Sequence, residues 1–242
     1  SDTLINIENL AGSPFADMLT GDTKRNQLDG DAGNDQLDGG SGNDTLNGGT
    51  GEDIMTGGNG NDAYYVDHAG DSVSETSADL ASGGKDIVLS YLASYALTVN
   101  VEDLRIVATG AADGTGNELD NLLYAGEGDN VLDGGAGTDT VGYRFANSGV
   151  SVSLALVGAQ ATGGSGFDTL VNIENLAGSA FADILTGNGS TNRLDGSSGN
   201  DTLDGGGGID TMIGGNGSDH YTVDNPGDLV NETNADLATG GN

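Results

Sequence analysis

The feature that most restricts what this chain can fold into is a nine-residue clock. Leu10, Leu19, Leu28, Leu37, Leu46, Met55 and Tyr64 stand nine apart without a break. Leu176, Leu185, Leu194, Leu203, Met212 and Tyr221 repeat the pattern, and Leu123, Leu132 and Val141 form a shorter run. A second ladder runs two residues ahead of the apolar one. It reads Asp17, Asn26, Asp35, Asp44, Asp53 and Asp62, then Asn121, Asn130 and Asp139, then Asp183, Asn192, Asp201, Asp210 and Asp219. Self-similarity at a short fixed period predicts a solenoid, in which each coil touches only its neighbours. No run of ten or more residues reads as a helix, because strong helix formers are missing and glycine is everywhere.

A longer repeat lies above the nonapeptide. "DTLINIENLAGSPFADMLTG" at 2–21 returns as "DTLVNIENLAGSAFADILTG" 166 residues later. "GGNGNDAYYVDHAGDSVSETSADLASGG" at 57–84 returns as "GGNGSDHYTVDNPGDLVNETNADLATGG" 157 residues later. The offsets differ by nine, so the second copy has lost one nonapeptide without breaking the pattern. Three segments are expected. Residues 1–85 form a first array with its C-terminal cap. Residues 86–167 form a strand-rich, degenerate solenoid with a short regular run at 114–142. Residues 168–242 form a second array and cap. The sequence begins in mid-pattern and reads as a piece of a longer tandem protein.

Composition narrows the possibilities. Glycine is 45 of 242 residues, aromatics are 5%, and Trp and Cys are absent. Such a chain cannot fill a thick core, and thin cores need a disulfide, a metal or assembly. Without cysteine, metal or assembly remains. The 38 acidic residues against 6 basic ones give a formal charge of −32. No basic patch for nucleic acid can form, and anionic membranes are disfavoured. So large a charge opposes compaction unless a cation neutralises it. No stretch approaches the ~20 apolar residues needed to span a bilayer. The start, Ser1-Asp2-Thr3-Leu4-Ile5, is no signal peptide.

One nonapeptide, Gly39 to Asn47, shows the expected division of labour. Gly39, Gly40 and Gly42 allow positive φ and let the chain curl tightly with its carbonyls turned inward. Asp44 adds a carboxylate, and Thr45-Leu46-Asn47 makes a short strand with one residue pointing to the core. Converging carbonyl and carboxylate oxygens are hard ligands. Calcium takes six to eight of them in irregular geometry, whereas transition metals prefer imidazole or thiolate. The chain has two histidines and no cysteine.

The pattern G-G-x-G-x-D-x-U-x, met in full at 39–47 and in close form at 48–56, 57–65, 134–142, 205–213 and 214–222, resembles the RTX family of calcium-binding nonapeptide repeats of secreted bacterial proteins. The resemblance implies an all-β fold: a parallel β-roll, or β-solenoid, with two nonapeptides per coil and several Ca2+ ions in its turns. It implies metal ligation at Asp35, Asp44, Asp53, Asp62, Asp139, Asp201, Asp210 and Asp219. Asp35 would share an ion with Asp53, Asp44 with Asp62, and Asp201 with Asp219. Turn glycines would join them: Gly33, Gly39, Gly42, Gly48, Gly51, Gly57 and Gly60 in the first array, and Gly199, Gly205, Gly208, Gly214 and Gly217 in the second. Asp71 and Asp228, just past the arrays beside Asp67 and Asp224, are candidate ligands of a terminal ion.

Departures from the pattern carry their own expectations. Asn26 and Asn192 replace the carboxylate, and Lys24, Arg25 and Arg193 sit in or beside those loops. A side-chain cation is expected to replace calcium there in part. Phe15 and Phe181 stand at the fourth position of the Asp17 and Asp183 loops and are expected in the core or a cap. His68 and His220 are expected exposed, and Tyr91 and Tyr95 to pack a strand. "DGDAGND" at 29–35 fails as an EF-hand because Gly40 stands where the twelfth-position Glu belongs. Ala32, Ser41, Thr50 and Asn59 are too irregular a series for an ice-binding face.

The functional expectation is non-catalytic: a calcium-gated structural segment of a large secreted or cell-surface bacterial protein of adhesin, surface-layer or matrix type, exported by type I secretion. The alternative is a C-terminal accessory module of a secreted protease, lipase or polysaccharide epimerase. Calcium is the expected partner, and other copies of the chain or a cell-surface or matrix component are candidate ones.

Overall fold

A computed structural model describes residues 7–76 and 83–232. The readings made at 1–5 and over 77–82 and 233–242 lie outside them. Among the described residues every regular element is a strand, and most strands are three residues long. The chain divides into two compact units, Ser1–Val107 and Ala108–Asn242.

The nine-residue clock becomes an eighteen-residue coil. In the first unit Leu10 pairs with Leu28, Leu28 with Leu46, and Leu46 with Tyr64, all parallel. The intervening repeats build a second parallel ladder in which Leu19 pairs with Leu37, Leu37 with Met55, and Met55 with Val73. Two nonapeptides therefore make one turn of a parallel β-solenoid. Past the array the strands Ile87–Ser90 and Asp103–Ile106 extend the first ladder, with Tyr64 against Val88 and Val88 against Leu104. In the second unit Leu123, Val141, Leu176, Leu194, Met212 and Val230 stack in sequence. Val152, Leu185, Leu203 and Tyr221 form the companion ladder.

One element departs from a purely parallel roll. Gln160–Gly163 pairs antiparallel with Gly166–Val171, a hairpin turned at positive-φ Gly163 and Gly166. It lies within the excursion between Val141 and Leu176, where the nonapeptide period lapses.

The core is one residue wide per strand. Leu28, Leu37, Leu46, Met55 and Tyr64 are fully buried, as are Leu185, Leu194, Leu203 and Met212. The residues on either side of each face outward, so a single large apolar side chain per nonapeptide carries the hydrophobic term. The turns have no slack either. A Cβ on Gly51 would fall on the carbonyl oxygen of Gly33, and one on Gly217 on that of Gly199. Both glycines also hold φ of +143°.

Leu46→Ala should lower stability in saturating calcium by about 2–5 kcal/mol, as for other buried leucines, measured by chemical denaturation. Gly51→Ala should cost more than the roughly 1 kcal/mol of an ordinary left-handed glycine, because the Gly33 carbonyl occupies the methyl's place. An unchanged midpoint for Gly51→Ala would refute the close coil contact.

Candidate metal centre

The aspartate ladder is a stack of backbone caps. Asp62 Oδ1 accepts the backbone N–H of Asp44 at 2.6 Å, and Asp44 Oδ1 accepts that of Asn26 at 2.6 Å. Asp53 does this for Asp35 and Asp35 for Asp17, each at 2.8 Å. In the second unit Asp139 caps Asn121 at 2.7 Å, and Asp201, Asp219 and Asp210 cap Asp183, Asp201 and Asn192 at 2.8 Å. The structure thus brings together the pairs Asp35–Asp53, Asp44–Asp62 and Asp201–Asp219, each one coil apart.

The other carboxylate oxygen of these residues has no partner. Oδ2 of Asp35, Asp44, Asp53, Asp62, Asp139, Asp201, Asp210 and Asp219 is buried and accepts no hydrogen bond. Each of these oxygens lies against the first glycine of its own loop. A Cβ there would collide with it at Gly30, Gly39, Gly48, Gly57, Gly134, Gly196, Gly205 and Gly214.

A backbone switch at the second loop position decides which loops are left open. Asp31, Gly40, Gly49, Gly58, Gly135, Ser197, Gly206 and Gly215 all hold positive φ. These are the second residues of the same eight loops. Their fourth residues, Gly33, Gly42, Gly51, Gly60, Gly137, Gly199, Gly208 and Gly217, are positive too. In four of these loops the second N–H turns back to the preceding aspartate side chain, as from Asp31 to Asp29 and from Gly135 to Asp133.

In the other loops the second N–H closes onto the sixth residue. Asp22 N donates to Asn26 Oδ1, Asn117 N to Asn121, Gly126 N to Asn130 and Asn188 N to Asn192, at 2.7–2.9 Å. Ser13 N and Ser179 N likewise close on Oδ2 of Asp17 and Asp183 at 2.6 Å.

Three expectations are corrected by this geometry. No side-chain cation enters the asparagine loops. Lys24 pairs with Glu8 and Arg193 with Asp195 at the surface, and Arg25 is exposed. The asparagine amide itself fills the place, donating from Asn192 to the Glu174 carbonyl at 2.7 Å and from Asn130 to that of Ala112 at 2.6 Å. Phe15 and Phe181 are exposed, not in a core or cap, because each lies in the turn and the inward direction belongs to Leu19 and Leu185. Gly39 does not adopt positive φ; it is needed because a Cβ would crowd the Asp44 carboxylate.

Asp71 and Asp228 hold ladder positions past the arrays. Asp71 accepts from the N–H groups of Asp53, Asp67 and His68, and Asp228 from those of Asp210, Asp224 and Asn225, so both their oxygens are engaged. His68 and His220 are exposed, and Tyr91 stacks on Tyr65 with ring centroids 6.5 Å apart. Sequence reasoning missed five further members of the ladder. Asp86 caps Asp62, Glu102 caps Asp86, Asp168 caps Asn130, Glu174 caps Asp139, and Glu75 meets the Tyr64 hydroxyl. All but Glu75 stand two residues before a stacked apolar residue (Val88, Leu104, Leu170 and Leu176), and that spacing could have found them.

Burial of so many acids shapes the electrostatics. Desolvation outweighs the backbone caps and raises Asp44, Asp62 and Asp139 to about 6 and Asp201 to about 7. Asp53 and Asp210 shift the same way for the same leading reason. The folded chain without cations therefore binds more protons than the unfolded chain between about pH 4 and pH 7. Its stability is fully present below that window and is lost as pH rises through it. In chelator, the far-UV β signal should be larger at about pH 5 than at about pH 8, and calcium should abolish the difference. Equal signals at both pH values would refute the desolvation account.

The architecture defines a class: a parallel β-solenoid whose turns are lined by buried, half-satisfied carboxylates. The family model for the RTX calcium-binding nonapeptide repeat (4 copies) matches residues 12–46, 38–67, 115–142, 172–203 and 195–224, more than half of the chain. The chain belongs to the RTX calcium-binding repeat family. No curated protein matches it. The residues fit the ion that the family implies: eight orphaned carboxylate oxygens, no thiol, and glycine wherever a side chain would fill the turn. Calcium bound there supplies the positive charge that these oxygens lack.

Proposed function

We propose that this chain is a non-catalytic, calcium-gated structural segment of a large secreted bacterial protein of adhesin, surface-layer or matrix type. The observation that carries this reading is the set of eight nonapeptide aspartates whose buried Oδ2 atoms have no partner. An uncompensated buried carboxylate is expensive. Eight of them in a solenoid one side chain thick would exceed what the core returns.

The ladder aspartates and the glycine carbonyls of the open loops hold the ions. Asp35, Asp53 and Asp71 form one edge of the first roll, and Asn26, Asp44 and Asp62 the other. Sites with few carboxylates fill at ~10⁻⁴–10⁻³ M calcium, the extracellular range. Binding to the folded state alone then stabilises it. The chain stays unfolded where calcium is scarce and folds once outside, which suits export through a type I route. The long tandem repeat favours a filament-like or matrix role.

A far-UV circular dichroism titration after chelator treatment tests the reading. Calcium at about millimolar concentration should convert coil to β structure, and magnesium at the same concentration should not. Full β structure in chelator at neutral pH would overturn the proposal.

A further inference from the structure

Where the first array ends, three acids from different parts of the chain converge. Asp62 is the last ladder aspartate of the array, Glu75 follows the strand Ser72–Ser74, and Asp86 precedes the strand Ile87–Ser90. One oxygen of each lies within 4.8 Å of the others. That span is what a shared calcium with bonds of about 2.4 Å allows across its diameter.

All three side chains are nine-tenths or more buried, at 1%, 6% and 0% exposure for Asp62, Glu75 and Asp86. Each has one oxygen committed to the protein. Asp62 Oδ1 takes the Asp44 N–H, Asp86 Oδ1 takes the Asp62 N–H at 2.7 Å, and Glu75 Oε1 takes the Tyr64 hydroxyl. The second oxygen of each is buried without a hydrogen bond. Among the described residues no cation pairs with any of them. A Cβ on Gly57 would meet Asp62 Oδ2, Glu75 Oε1 and the Tyr64 hydroxyl, so glycine keeps the space open.

We infer that Asp62, the last ladder aspartate of the array, forms with Glu75 and Asp86, both outside the nonapeptides, a terminal calcium site that takes up the first ion bound by the chain. The inference rests on the calcium reading of the roll. Three carboxylates on one ion exceed the two that any pair of neighbouring loops supplies, and affinity rises with ligand charge. A buried, all-oxygen site without imidazole or thiolate selects calcium over transition metals, and over magnesium, which keeps its waters. The Asp-Tyr-Glu spacing returns at Asp219, Tyr221 and Glu232, but there Glu232 is exposed.

Calcium binding to the whole 242-residue chain is measured by competition with a fluorescent chelator. The unaltered chain should show one tight ion and a weaker class. Glu75→Gln and Asp86→Asn should each weaken the tight ion by about 10–100-fold or more, the range seen on disturbing even outer partners of a metal. Glu232→Gln should leave it unchanged. A second readout does not depend on altering a ligand. One equivalent of Tb3+ should emit strongly on tyrosine excitation, and Tyr64→Phe should cut that emission several-fold while the tight ion remains. A tight ion unaffected by both acid variants, or first-equivalent emission unaffected by Tyr64→Phe, would overturn the site while leaving the roll's calcium reading intact. No calcium uptake by the unaltered chain would overturn both.

Discussion

The structure depends on one hydrogen bond repeated coil after coil: a carboxylate oxygen of the later coil accepts the backbone N–H of the ladder residue in the coil before it. This bond satisfies a buried donor at the mouth of each turn and fixes the register of the parallel strands that follow. In the open loops it uses half of each carboxylate. The other half is left buried with nothing to bind, and the cation requirement of the family follows from that remainder. The fold and its dependence on an ion therefore share one side chain.

Each unit contains two kinds of turn, in runs of closed turns followed by runs of open ones. Where the second loop residue is left-handed, its N–H is withdrawn from the sixth residue and the carboxylate stays open. Where it is not, the N–H closes the loop, and Asn26, Asn121, Asn130 and Asn192 complete it with their own amides. A closed turn needs no counter-ion. The chain thus mixes coils that stand by internal hydrogen bonds with coils that call for a metal. The number of open turns is set by backbone conformation as much as by the count of aspartates.

Much of this was legible in the sequence, because the period carries it. The spacing of Leu28, Leu46 and Tyr64 predicts the stacked core, and the glycines at positions two and four predict the left-handed turns. The pairing of Asp44 with Asp62 follows once two repeats make a coil. What stayed hidden lies where the period lapses. Asp86 is 24 residues beyond Asp62 instead of 18, so its place on the ladder depends on the course of the intervening segment. Glu174 caps Asp139 across an excursion of 35 residues that contains an antiparallel hairpin. Phe15 and Phe181 misled because size and apolarity suggest a core, whereas direction is set by the two-residue alternation of a strand that each of them precedes. The asparagine loops misled for a different reason: their nearby lysine and arginines drew notice away from the amide, which is itself a donor.

The inter-coil bond also gives the solenoid a direction. The ladder residue of each coil lends its backbone N–H forward, to the carboxylate of the coil that follows. An array therefore ends with one unfinished ladder donor on each edge at its C-terminal side, and something outside the repeat must finish it, as Asp86 does for Asp62. Asp71 does this for Asp53, and Asp228 for Asp210. The segments that look like mere punctuation between arrays are in this sense the pawls that hold the last tooth of the ladder.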